Sequence, residues 1–168
     1  MKLIHKTITI RSADAEDAPL LSRWWNDGTV MAHAGFPNGL GITPEEVSAG
    51  LGPGSLMLLF DGFPIGEMSY RSVCSDTVEI GIKICEPAYQ NRGIGKIALS
   101  LLIQELFSRG CSRIVLDTNL KNTRAQHVYE SLGFQKLRVN MDSWQDQLGR
   151  WQSSVDYALT PDGFIRAL

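Results

Sequence analysis

A strand, a glycine turn, a long helix and a second strand follow one another between residues 77 and 119, and this order constrains the fold more than any other feature. In the run 77–85, Val78, Ile80, Ile82 and Ile84 share one face, while Glu79, Gly81, Lys83 and Cys85 share the other. Glu86-Pro87 ends that run. Gln90-Asn91-Arg92-Gly93-Ile94-Gly95-Lys96 then opens a helix over 93–109, where Ile94, Ile97, Ala98, Leu101, Leu102 and Leu106 recur at helical spacing. Gly110 is a suitable stop, and 113–119 is the next strand. Such a βαβ unit places its two strands parallel and needs a right-handed crossover.

The turn itself carries chemistry. Glycines at a strand-to-helix junction let backbone N–H groups approach a ligand closely, and the helix N-terminus adds partial positive charge. That combination suits a pyrophosphate, with Arg92 and Lys96 as charge partners. The loop is not a G-x-x-x-x-G-K-[ST] loop, because one residue separates the glycines and neither Ser nor Thr follows Lys96. Nor is it G-x-G-x-x-G, since Ala98 stands where the third glycine would be.

Antiparallel elements flank the unit. Thr7-Ile8-Thr9-Ile10-Arg11 alternates as a half-buried first strand, and Asp14 caps a helix carrying Ala18, Leu20, Leu21, Trp24 and Trp25. An irregular stretch, 26–43, follows; segments of this length are usually functional or mobile. Pro44 after Thr43 opens a short helix to Leu51. Strands over 55–61 and 64–73 meet at the Asp61-Gly62 hairpin signal. Asn122 caps a helix over 123–132 that Gly133 ends, and 134–141 and 155–160 form a last pair around a loop rich in Trp, Gln and Asp. The expectation is a single domain over 1–168, an α/β fold with a mixed, mostly antiparallel sheet and helices on both faces.

A net charge of −2 offers no basic field for nucleic acid. Cys74, Cys85 and Cys111 are odd in number and have no zinc spacing with His5, His33 and His127, so no metal is expected. No apolar run approaches the roughly 18 residues of a membrane span, and the N-terminus lacks a signal-like apolar stretch. Reduced thiols and a cytoplasmic location are the consistent expectation.

Three features together resemble the GNAT superfamily of acyl-CoA-dependent N-acetyltransferases. They are Ile82-Lys83-Ile84-Cys85-Glu86-Pro87 leading into Gln90-x-x-Gly93-x-Gly95; the strand Ile114-Val115-Leu116-Asp117 one helix later; and Asn122-x-x-Ala125-x-x-x-Tyr129-Glu130-x-Leu132-Gly133-Phe134. The resemblance implies a central parallel pair of strands that splays apart, with the pantetheine arm of acetyl-CoA in the opening. It implies backbone partners at Lys83, Ile84 and Cys85, with an amide near Cys85 facing the thioester oxygen. The pyrophosphate would rest on the amides of residues 91–96, and Asn122 would touch the arm as well as cap its helix. Tyr129 would point its hydroxyl at the sulfur, although a core aromatic is the plain alternative. A departing thiolate, with a cysteine-like pKa of about 8.5, can use such a donor.

An alkylammonium, with a pKa of about 10.4, must lose a proton before it attacks. Glu79 and Asp117 are the carboxylate candidates, and ordinary strand-end hydrogen bonding is the alternative for both. Cys85 as a nucleophile is disfavoured, because no histidine lies beside it in the sequence. Trp25, Asp27, His33, Phe36 and Trp144 are expected on the acceptor side, where aromatic faces and carboxylates suit a cation. The same residues describe a dimer interface, so a homodimer is an open alternative. The function implied is acetyl transfer from acetyl-CoA to a primary amine of a small molecule or a protein N-terminus. A non-catalytic acyl-CoA-binding domain on the same fold is the rival.

Overall fold

The computed structural model describes all 168 residues. One eight-stranded sheet runs through it in the order β1-β2-β3-β4-β5-β6-β8-β7. Its strands are β1 (Lys2–His5), β2 (Ile8–Ser12), β3 (Ser55–Phe60), β4 (Phe63–Cys74), β5 (Thr77–Ile84), β6 (Arg113–Asn119), β7 (Gln135–Gln145) and β8 (Trp151–Leu159). Every neighbouring pair is antiparallel except β5–β6. The helices are α1 (Ala18–Trp25), α2 (Gly28–Met31), α3 (Pro44–Gly50), α4 (Ile94–Ser108) and α5 (Thr123–Ser131). None is long and apolar enough to cross a membrane.

The period-two pattern of β5 splits the core between the faces of the sheet. Ile80 joins the larger cluster, in which Leu99, Leu102 and Ile103 of α4 and Leu132 just past α5 pack against Ile10, Leu58, Ile114 and Tyr157. Cys85 joins the smaller one, in which α1 and α3 pack Leu21, Trp24 and Val47 against Met57 and Leu59. The two helices on this second face start from strong caps. Thr43 forms a capping box with Glu46 at α3, and Asp14 forms one with Asp17 at the 3₁₀ turn Ala15–Asp17 that leads into α1. Arg11 reaches from β2 to grip Asp17 with two bonds, of 2.7 and 2.8 Å, which fixes the entry to α1.

The structure corrects the sequence reading at three places. The first strand is Lys2–His5, paired with β2 through a tight turn in which Lys6 takes a positive φ of 51°. Its exposed pattern gave no core signal. The stretch 26–43 is not irregular: it holds α2 and a 3₁₀ turn, and Asn26 ties it together with bonds in both directions to the Ile42 main chain. Finally, the last strand pair is longer than its apolar core. β7 is an edge strand exposed along most of its length, with irregular register around Arg138 and between Asn140 and Trp144. Leu137, Val139 and Met141 alternate with polar residues yet stay exposed, and beyond Met141 the alternation stops, so the far end of the strand carried no signal.

Candidate active site

The parallel pairing of β5 and β6 covers only residues 77–79 against 113–115. Beyond it β5 continues to Ile84 beside β4, and β6 continues to Asn119 beside β8, so the two strands diverge. A β-bulge ends β5: the amides of Cys85 and Glu86 both donate to the Ile65 carbonyl, at 2.9 and 3.1 Å. Counting back from Cys85, Lys83 and Gly81 spend their main-chain groups on β4, whereas those of Ile82 and Ile84 turn toward the opening. This corrects the expected set of backbone partners. Cys85 and Lys83 are committed to β4, and of the three only Ile84 faces the wedge. Its carbonyl is already held by the Gln90 side chain at 2.9 Å, leaving its amide free.

The glycine turn stands at the end of this wedge. Asn91 and Gly93 both have positive φ, 58° and 76°, and an added Cβ at Gly93 would meet nothing within 4 Å. The surface above Gly93 is therefore open to a ligand. No side chain caps α4, and the first main-chain bond of the helix is from Ile97 to Gly93. The amides of residues 91–96 thus carry no protein partner, which is the condition for an anion site at a helix start. Arg92 stacks across the rings of Phe60 and Tyr89 at 5.2 and 5.3 Å, which holds the cation beside the turn without neutralising it. Lys96 has no carboxylate partner. Main chain free along the wedge and six unpaired amides at its end fit a carrier that has amide groups and a pyrophosphate.

Tyr129 descends from α5 toward the wedge, near Asp117. Its ring is buried between Phe134 and Tyr157, each at 5.8 Å, and its hydroxyl finds no protein partner. Burial, with the Asp117 charge adding, pushes its pKa up to about 12. Asn122 uses its Oδ1 to cap Ala125 at 3.2 Å, and its Nδ2 stays available. Both readings of Asn122, cap and ligand contact, are compatible with that geometry. Glu79 and Asp117 lie on one face at the closed end of the wedge, where they and Asp156 line a cavity of about 390 Å³. Glu79 is bound to Arg71. Asp117 keeps one edge in solvent, yet desolvation of the rest, with Glu79 and Asp156 adding, raises its pKa above the ordinary carboxylate range. Cys85 is sealed in the core and its thiol is pushed up to about 12 by burial, which leaves it no nucleophilic role.

On the acceptor side the structure separates the expected residues. Of the adjacent tryptophans, Trp24 is core and donates to Glu86 at 2.7 Å. Trp25 lines a cavity of about 370 Å³ beneath α1, bounded by Glu67, Ser69, Gly81, Ile82 and Lys83. The other four do not line it. Asp27 caps α2, accepting from the Thr29 amide and hydroxyl. His33 and Phe36 are exposed, and Trp144 packs so closely on Gly35 that a Cβ there would lie 2.4 Å from its ring. Gln147 completes this clamp between the last hairpin and the 26–43 segment. Glu67 was not singled out from the sequence, and β4 offers a usable signal: a lone carboxylate directly across from Lys83 in the hairpin register.

A diverging parallel pair with free amides at the start of its crossover helix defines a class of α/β domains suited to nucleotide-bearing carriers. Within that class the chain belongs to the acetyltransferase (GNAT) family, whose profile matches residues 5–134. It is similar, at 34% identity over 74 residues, to the ribosomal protein bS18-alanine N-acetyltransferase of Haemophilus ducreyi. That stretch is 44% of this chain and 51% of the relative, so the chain spans about half the length of the curated relatives it matches. Among solved structures, a GNAT-family acetyltransferase from Bacillus anthracis superposes with a TM-score of 0.83 at 20% identity, covering 96% of this chain and 99% of that one. A ribosomal alpha-N-protein acetyltransferase in complex with coenzyme A superposes with a TM-score of 0.84 at 17% identity, covering 96% and 98%. At these identities the two structures establish the fold.

Proposed function

We propose that this chain is an N-acetyltransferase that moves the acetyl group of acetyl-CoA to a primary amine, on a small molecule or at a protein N-terminus. The observation that carries the reading is the unpaired amides of residues 91–96 at the end of an open wedge. Family membership and the coenzyme A bound to a structural relative support it. Bound there, acetyl-CoA supplies an activated acyl group and a thiolate leaving group.

The chain's own groups then divide the work. The amides of residues 91–96, with Arg92 and Lys96, hold the pyrophosphate. The Ile82 main chain and the Asn122 amide align the pantetheine arm. The Ile84 amide, left free in the wedge, donates to the thioester oxygen, and preorganised donors of this kind contribute about 2.7–4 kcal/mol where measured. Tyr129 donates its hydroxyl to the sulfur. Asp117, with Glu79 behind it, accepts the proton that the attacking amine sheds, directly or through water. The nitrogen–carbonyl bond forms as the carbon–sulfur bond breaks.

The test is to incubate the protein with acetyl-CoA and a panel of amines and to titrate free thiol. Amine-dependent thiol release is the expected result. Tight acetyl-CoA binding without it would leave a non-catalytic binding domain.

A further inference from the structure

The cavity beneath α1 abuts the wedge along β5, because Gly81, Ile82 and Lys83 line it while Ile82 also faces the opening. Its polar groups are poorly satisfied by the protein. The Trp25 indole nitrogen is the buried side-chain polar atom that has no hydrogen-bond partner. Glu67 meets only Lys83, at 3.6 Å, and the Lys83 ammonium otherwise touches the Met31 sulfur at 3.1 Å. Half-buried Glu67 and Lys83 converge with Trp25, whose buried nitrogen is unpaired, on one concave site, and such a convergence marks a place for a ligand.

The signs of those groups define the ligand. Glu67 wants a cationic donor, and Lys83 wants an acceptor close beside it. An α-amino acyl group presents that pair: an ammonium, and a carbonyl oxygen three bonds away. A polyamine presents only cations and would set one against Lys83.

The proton balance points the same way. The cavity lining contains no histidine, and His33 sits on an exposed turn. An α-amino group, with a pKa of about 7.7–8.0, is roughly half neutral at pH 8, whereas an alkylamine near 10.4 is neutral to about 0.4%. A site that has only carboxylates to take the proton favours the former by about two orders of magnitude in nucleophile concentration.

We infer that the Trp25–Glu67–Lys83 cavity receives an α-amino acyl group, the first residue of a peptide or an amino-acid amide, and that Glu67 and Lys83 select it over polyamines. This rests on the acetyl-transfer reading and deepens it. In the unreacted complex Glu67 takes the amine's hydrogen bonds and Lys83 donates to the neighbouring carbonyl oxygen; no bond changes there.

The test uses calorimetry on the full chain preloaded with coenzyme A, with alaninamide and 1,4-diaminobutane as probes. Alaninamide should bind at least tenfold tighter. Glu67→Gln and Lys83→Met should each weaken alaninamide at least tenfold, raise its KM more than they change kcat, and leave the coenzyme A Kd within twofold. Equal binding of the two probes, or unchanged alaninamide affinity in both variants, overturns the inference while acetyl transfer stands. Failure of coenzyme A itself to bind overturns both.

Discussion

Replacing Tyr129 with Phe removes one oxygen that no protein group contacts. The ring keeps its packing on Phe134 and Tyr157, so folding should be affected by less than about 0.5 kcal/mol and Tm should move by no more than one or two degrees. The effect on rate follows from its displaced acidity. With the phenol near 12 and a thiol of about 8.5, complete proton transfer to the departing sulfur is uphill by some 3.5 pKa units, or about 5 kcal/mol. In the proposed mechanism Tyr129 would therefore act as a hydrogen-bond donor to the developing thiolate more than as a full acid. Its contribution should fall at the low end of general-acid effects, one to two orders of magnitude in kcat, or about 1.4–2.7 kcal/mol. Since burial keeps the phenol protonated up to about 12, the loss should be the same factor from pH 6 to 9.5. The assay is thiol release at saturating acetyl-CoA across that range, alongside thermal denaturation. Wild-type turnover in the Phe variant, or a deficit that tracks pH, would refute the argument; a large fall in Tm would mean the hydroxyl is structural.

Three further outcomes follow from the geometry. Gly93→Asp places a side chain and a negative charge over the open turn at a φ of 76°, so acetyl-CoA affinity should fall at least a hundredfold by calorimetry while stability drops by only about 1–2 kcal/mol. Asp117 is held above the ordinary carboxylate range, so kcat/KM should lose activity on the acid side with a midpoint above about 3.9, and Asp117→Asn should abolish that limb. Asp17 is held below its ordinary value by Arg11, so its stabilisation is present above the unfolded pKa near 3.9 and disappears as pH falls through the folded one. The Tm gap between wild type and Asp17→Asn should accordingly be constant from pH 6 to 8 and close below about pH 4.

The parts of the fold legible in the sequence are those where burial enforces a period. β5, α4 and β6 carry dense apolar spacing, and their observed limits fall within a residue or so of those expected. β1 is a four-residue edge strand, too short to leave a pattern, whereas β7 was legible over 134–141 and in fact runs on to Gln145, past the point where its register breaks. The glycine turn was legible because Gly93 needs a conformation that few residues take. Of the three expected backbone partners, Lys83 and Cys85 turn to β4 and Ile84 faces the wedge, because the β4–β5 register that decides this is a pairing between strands. The acceptor side was hardest. Trp25 was visible as one of two adjacent tryptophans, but Glu67 becomes meaningful only once the β4–β5 register sets it against Lys83. Asp27, by contrast, is a helix cap, the commonest use of that residue before a short helix.

The central claim is that main-chain donors grip acetyl-CoA, and amide resonances report on them directly. In a titration of the isotope-labelled protein with coenzyme A followed by 15N–1H correlation spectra, the largest shifts should fall on residues 91–96 and on Ile82 and Ile84. Shifts concentrated elsewhere, with those amides still, would contradict the account.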